Sequence, residues 1–209
     1  MLSDLQRRVA DIVAGLPEAS DFVLAGGGAL IARGDVDRLT RDLDYFTIDP
    51  GQVDLLLPVL EGALRGAGWA VVEETVAPGF ARLVIDDGVE RTGVDLAADA
   101  RLLRAEPSEF GLLLSAEELA VDKVLAVFGR AEARDFIDLA ALEPRFGLGH
   151  LCRLALEKDV GFRQSVLLEM LGRFGRLPRD EFDVDDDTFQ AIVRSVNRWR
   201  AQLRSHHPT

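Results

Sequence analysis

At Phe22-Val23-Leu24-Ala25 an uninterrupted apolar run leads directly into Gly26-Gly27-Gly28, and Ala29-Leu30-Ile31-Ala32 then starts a helix that Gly34 stops. A buried strand that turns on consecutive glycines into a helix leaves backbone N–H groups unshielded by side chains, where an anion can approach. A plain tight turn needs the same glycines, so the rest of the chain has to decide.

Around this unit the pattern predicts a mixed sheet flanked by helices. Leu2, Leu5, Val9, Ile12 and Val13 mark an amphipathic helix ending near Gly15, and Asp42–Thr47 reads as a second strand. Asp49-Pro50 opens a helix carrying Val53, Leu56, Leu57 and Leu60, which stops at Gly66 or Gly68. Three further strands follow at 69–76, 80–85 and 89–96, the last two joined by an Asp86-Asp87-Gly88 turn. From Ser115 only helices are expected. Ser115-Ala116-Glu117-Glu118 is a capping box for a helix to about Phe128, and a helix over 131–143 is ended by Pro144. Others span 149–158, 162–174 and 188–203; the acidic run 180–187 reads as a solvated loop whose Asp187 caps the last helix. The fold class is thus α/β (α+β), with a core over residues 1–114 and a helical bundle over 115–209 that completes the active site.

Composition excludes several classes. With 48% apolar and 29% charged residues, 8 Pro and 19 Gly, the chain is neither disordered nor collagenous. Its 209 residues suffice for a core, and one cysteine, Cys152, forms no internal disulfide. No apolar run reaches the ~18 residues of a membrane span, and the N-terminus lacks a signal-peptide pattern, so a cytoplasmic location is expected. The net charge of −12 argues against a broad nucleic-acid-binding surface. That average hides an asymmetry. Residues through Glu143 carry 13 basic and 27 acidic groups, whereas Arg145 onward has 11 and 9, so a polyanion should meet the C-terminal third.

Asp42 and Asp44 lie two apart on a strand, so both carboxylates share a face with α-carbons roughly 6.5 Å apart. Such a pair repels unless a cation sits between, and Mg²⁺ favours one or two carboxylates supplemented by water and phosphate oxygens. An exposed strand face is the alternative. Its neighbours favour the cation: a glycine cradle lies upstream, and Arg38-Leu39-Thr40-Arg41 enters the same strand. The combination suits a nucleoside triphosphate.

Lys123 is one of only two lysines and sits with Asp122 on the otherwise apolar helix 119–128. A buried lysine requires an anion, whereas a snorkelling one requires only a path to water. Asp135 and Asp138 fall three apart on one helix face, with an Arg134–Asp138 ion pair as the alternative to a functional role. Asp95, between Val94 and Leu96, is the only acid flanked by two apolar residues on a late strand.

These strings, Leu24-Ala25-Gly26-Gly27-Gly28-Ala29-Leu30, Arg38 through Asp44, Leu119 through Lys123, and Arg134 through Leu139, resemble the nucleotidyltransferase fold of DNA polymerase β and, within it, the AbiE-type (AbiEii/AbiGii-like) toxin nucleotidyltransferases. The resemblance covers about Phe22 to Leu142. It implies catalytic Mg²⁺, with Mn²⁺ as substitute, on Asp42 and Asp44, with Asp95 as third ligand and Asp99 in reserve; a strand-end structural acid is the alternative for Asp95. It implies triphosphate contacts from Gly26, Gly27, Gly28, Arg38, Thr40 and Lys123, and catalytic assistance from Asp138 in preference to Asp135. Gly28 stands where the family carries a hydroxyl residue, which leaves only its backbone contact. Thr40 corresponds to a point of regulatory modification; a phosphate there would block nucleotide binding.

The implied activity is nucleotide transfer from a triphosphate to RNA, such as the 3′ end of tRNA, by the toxin of a toxin–antitoxin pair with a cognate antitoxin. An aminoglycoside-type transferase, suited to the acidic N-terminal part, and a non-catalytic binding protein are the competing readings. On the last helix Arg194, Arg198, Arg200 and Arg204 fall within one arc, with no acid after Thr188, and form a candidate RNA grip against a plain solvated face. His206 and His207 are assigned no role.

Overall fold

The computed structural model describes residues 1–205, so His206 and His207 lie outside the described residues. It divides into two compact units, Met1–Ser115 and the residues from Ala116 onward.

The first unit is built on one seven-stranded sheet. Its elements are α1 (Asp4–Gly15), β1 (Val23–Ala25), α2 (Gly26–Ala32), β2 (Asp42–Thr47), α3 (Pro50–Gly66), β3 (Ala70–Ala77), β4 (Phe80–Asp86), β5 (Arg91–Ala98), β6 (Glu106–Ser108) and β7 (Gly111–Leu113). The strand order is β3-β4-β5-β2-β1-β7-β6. β3, β4 and β5 form an antiparallel meander, β5 runs parallel to β2, and β1 is antiparallel to β2. Ser3 and Gln6 close a reciprocal capping box on α1, which buries Leu5, Val9 and Val13. Asp49 caps α3 by accepting from the Gly51 amide at 2.9 Å.

Two local expectations give way here. The glycines form the first turn of α2, which begins at Gly26 and not at Ala29. The hairpin of β6 and β7 carries no strand signal of its own, because Glu106, Pro107 and Ser108 are exposed and Pro107 has no N–H to donate. β7 is a strand because it pairs in parallel with β1 at Leu24 and Leu113, and β6 then adds an edge.

The second unit is helical: α4 (Ala116–Gly129), α5 (Ala133–Phe146), α6 (Leu148–Lys158), α7 (Gln164–Leu171) and α8 (Asp186–Ser205). Pro144 does not end α5. It sits in the last turn, where it removes one ladder hydrogen bond, and Gly147 at φ 80° terminates the helix. The segment expected as one helix over 162–174 is α7 followed by a 3₁₀ turn, Gly172–Arg176. Asp185, not Asp187, caps α8, accepting from the amide and hydroxyl of Thr188 at 2.8 and 2.9 Å. The acidic loop is not wholly solvated, since Phe182 is buried and meets Phe174 and Phe189 at 5.2 and 5.1 Å between ring centroids. Cys152 is buried, and that burial pushes its thiol up to about 12. No helix among the described residues is long and apolar enough to cross a membrane.

Candidate active site

Strand alternation places Leu43 and Tyr45 in the core and leaves Asp42 and Asp44 half-buried on the opposite face of β2. Registers on either side then set their neighbours. Asp44 is paired with Asp95 of β5, which is paired with Arg82 of β4, so three charged residues form one row across three strands. On its other side Asp44 is paired with Ala25, immediately before Gly26.

The glycines make this face possible. A Cβ at Gly26, which has φ 56°, would lie 1.9 Å from Asp44 Oδ2, and one at Gly93 would lie 2.3 Å from Asp42 Oδ1. A Cβ at Gly27 would come within 2.9 Å of Arg38 Nη2 and 3.0 Å of Thr40 Oγ1. Bare backbone at 26, 27 and 93 thus lets two carboxylates, a guanidinium and a hydroxyl crowd together. Gly28 differs, because its Cβ direction meets Leu43 Cδ2 at 3.0 Å and Leu24 Cδ1 at 3.4 Å in the core. The Thr40 hydroxyl donates to the Asp42 carbonyl at 3.2 Å, and Arg38 Nη1 donates to the Leu39 carbonyl at 2.9 Å.

The three acids of this face have different fates. Asp95 is buried and takes a two-pronged contact from Arg82, Nε to Oδ1 at 2.7 Å and Nη2 to Oδ2 at 2.5 Å. That pairing holds the Arg82 guanidinium well above its ordinary range. Asp42 makes no ion pair or side-chain hydrogen bond with the described residues, although the Arg82 charge is nearby. Among the described residues no group of three or more His, Cys, Asp or Glu is arranged to hold a metal ion. Asp99, the reserve, is exposed just past β5, its amide donating to the Thr47 carbonyl, and is about 13 Å along the strand from Asp95.

In the helical unit Lys123 does not snorkel. Only 6% exposed, it places Nζ 2.9 Å from Asp138 Oδ2 and 3.5 Å from Asp135 Oδ1, both carboxylates being fully buried. Asp135 also takes a fork from Arg130, at 2.9 Å to each oxygen, and the Glu132 amide at 3.3 Å. Burial alone would raise its pKa, but the Arg130 hydrogen bonds and the Lys123 and Arg130 charges bring it below the usual carboxylate range. The alternative Arg134–Asp138 pair does not form: Arg134 instead meets Glu132 at 2.9 Å. The other lysine, Lys158, carries no motif that marks it in the sequence. Its side chain is likewise buried, held by Glu118 at 2.8 Å and Asp122 at 2.5 Å. The scarcity of lysine is the one signal that points to it.

The α8 arginines do not present one uniform face. Arg194, Arg198 and Arg204 are exposed, but Arg198 donates to the buried Glu143 at 2.6 Å, and Arg200 is half-buried with its Nε enclosed. An acid from α5, invisible in the α8 sequence, takes up one of the four.

A mixed sheet that sets an Asp-x-Asp strand against a glycine-opened helix, with a helical region after it, defines a nucleotidyltransferase. The chain belongs to the nucleotidyl transferase AbiEii toxin family of type IV toxin–antitoxin systems, whose sequence pattern matches residues 11–205. The likeness thus extends through the C-terminal helices, beyond the Leu142 limit of the sequence resemblance. Among solved structures, the nucleotidyltransferase toxin MenT4 from Mycobacterium tuberculosis superposes with TM-score 0.60 at 20% identity, covering 95% of this chain and 92% of that one. JHP933 from Helicobacter pylori gives TM-score 0.56 at 17% identity over 99% and 96% of the two chains. A putative nucleotidyltransferase from H. pylori gives 0.57 at 17% over 100% of both. No curated protein matches the chain.

Proposed function

We propose that this toxin-family nucleotidyltransferase moves a nucleotide from a nucleoside triphosphate to an RNA acceptor such as the tRNA 3′ end, in the cytoplasm, with Mg²⁺ on Asp42 and Asp44. One observation carries the reading: two half-buried carboxylates on one strand face, with glycine backbone, Arg38 and Thr40 beside them and no intrachain salt bridge on Asp42 among the described residues. The donor set fits the ion, since Mg²⁺ takes one or two carboxylates and completes its shell with water and phosphate oxygens. When bound, the ion supplies charge neutralisation at the reacting phosphate and the departing pyrophosphate.

The chain's own residues do the rest. Asp95 holds Arg82 in place and is a third ligand only where that fork opens. Gly26, Gly27 and Gly28 offer backbone amides, and Arg38 and Thr40 offer donors, to triphosphate oxygens. Lys123, held by Asp138 and Asp135, is the ammonium proposed for the triphosphate only where that ion pairing opens, and Asp135 also anchors the fork of Arg130. Phosphorylation of Thr40 would add ≈ −1.5 to −2 charge next to Asp42 and silence the site. A cognate antitoxin is the expected partner.

The test is incubation of the purified protein with each α-labelled triphosphate, Mg²⁺ and total RNA. Label should enter an RNA band in a metal-dependent way, and its absence from RNA under all four nucleotides would defeat the reading.

A further inference from the structure

Beside Asp42, on the side of the sheet away from the glycine cradle, lies a depression of about 360 Å³ bordered by Arg41, Arg82, Arg91 and Glu74, with Gly93 in its floor. Its charge runs against its surroundings. Residues through Glu143 are acidic by about two to one, yet this depression gathers three guanidinium groups against two carboxylates. Arg82 is committed to Asp95, but the side chains of Arg41 and Arg91 make no ion pair or hydrogen bond with the described residues. Two uncommitted arginines next to a carboxylate in a strongly acidic chain have an anion as their natural partner.

Strand order says which anion. β2 has β1 and α2 on one side, with the glycines, Arg38 and Thr40, and β5 and β4 on the other. In-line displacement at phosphorus puts the attacking oxygen and the leaving group on opposite sides of the reacting atom. A triphosphate lying toward α2 therefore obliges the acceptor to arrive over β5 and β4, where the arginines are.

We propose that Arg41 and Arg91 seat a backbone phosphate of the acceptor RNA in this depression, and so guide the strand end toward Asp42. The inference deepens the RNA-transfer reading and rests on it. It also moves acceptor contact into the acidic part of the chain, whereas overall charge assigns that contact to Arg145 onward. The shared chemistry is a phosphate, and the alternative source is the triphosphate itself.

The experiment compares wild type with the Arg41→Gln/Arg91→Gln double variant, whose two exposed side chains make no contact needed for folding. Binding of total tRNA and of a fluorescent single-stranded RNA is measured by anisotropy over a salt series, without triphosphate, and binding of Mg²⁺-ATP and Mg²⁺-CTP by calorimetry. The expected result is RNA affinity lower by roughly tenfold, a log–log salt slope shallower by about 1.4 for two single-strand contacts, and unchanged triphosphate affinity. Equal RNA affinity and slope in both proteins, or lost triphosphate affinity with RNA binding intact, would overturn the proposal. Because binding is read without turnover, it stands apart from the transfer assay: a wild type that transfers label to RNA while the double variant keeps its RNA affinity refutes the seat alone. A wild type that binds RNA through these arginines but transfers nothing refutes the activity alone.

Discussion

The molecule holds two pairs of aspartates that look alike in sequence and are treated oppositely. Asp135 and Asp138 are fully buried on α5, and Lys123 and Arg130 are drawn in to neutralise them. Asp42 and Asp44 stand half-buried on β2, with glycines cleared around them and no salt bridge on Asp42 among the described residues. The first pair is closed by the chain itself, as burial of charge requires. For the second, the proposed function assigns that part to a cation from outside. A carboxylate pair is thus better read by what the fold brings against it than by its spacing.

Breaking the β2 pair should have the largest effect. Asp42→Asn or Asp44→Asn is expected to lower nucleotide transfer by a factor on the order of 10³, the scale of removing a preorganised charge-stabilising group, while thermal stability holds or rises as like-charge repulsion is relieved. Label transfer and a melting curve on the same preparation check it; a folded Asp44→Asn protein with wild-type transfer would end the metal assignment.

The closed pair should respond in stability. Asp138→Ala leaves the Lys123 ammonium buried against Asp135 alone and should cost about 3–5 kcal/mol in urea unfolding. A loss below about 1 kcal/mol would show that Lys123 reaches solvent more readily than its 6% exposure indicates. The same network makes triphosphate binding by Lys123→Ala interpretable only on protein shown to be folded.

Acid should weaken the contribution of Asp135. The Asp135 carboxyl is held below its ordinary range, so the unfolded chain takes up the proton before the folded one. Its contribution is present above the unfolded value of about 4 and is lost as pH falls through the lower folded value. Denaturant midpoints between pH 6 and pH 3 should fall less steeply in Asp135→Asn than in wild type; parallel curves would assign the acid sensitivity elsewhere.

The smallest change sharpens the contrast from the other side. Arg82→Gln releases Asp95 and removes a positive charge near Asp42, so Mn²⁺ affinity should rise roughly severalfold, the scale of one screened charge. Calorimetry without nucleotide reads this directly, and weaker Mn²⁺ binding would mean that Arg82 shapes the pair instead of competing with its cation.

Much of the fold and of the site is legible in the amino-acid sequence. The Asp-x-Asp strand, the glycine-opened helix, the α1 and α3 faces and the β4–β5 hairpin all depend on periods of two or 3.6 residues and on local caps, which a sequence displays directly. The sequence marks Lys123 as a charge on an apolar helix but leaves burial and snorkelling open. Its partners are not legible, because Asp135 and Asp138 belong to the next helix. Nor is the fork from Arg82 to Asp95, where a separation of 13 residues and an antiparallel register decide the meeting. The β6–β7 edge and the Arg198–Glu143 pair escape for the same reason. The sequence by itself determined which residues alternate, cap and turn, since those follow from neighbours a few positions away. Which carboxylates the chain neutralises was decided only when strands and helices distant in sequence came together, because ion pairing acts through space over a few ångströms and not along the chain.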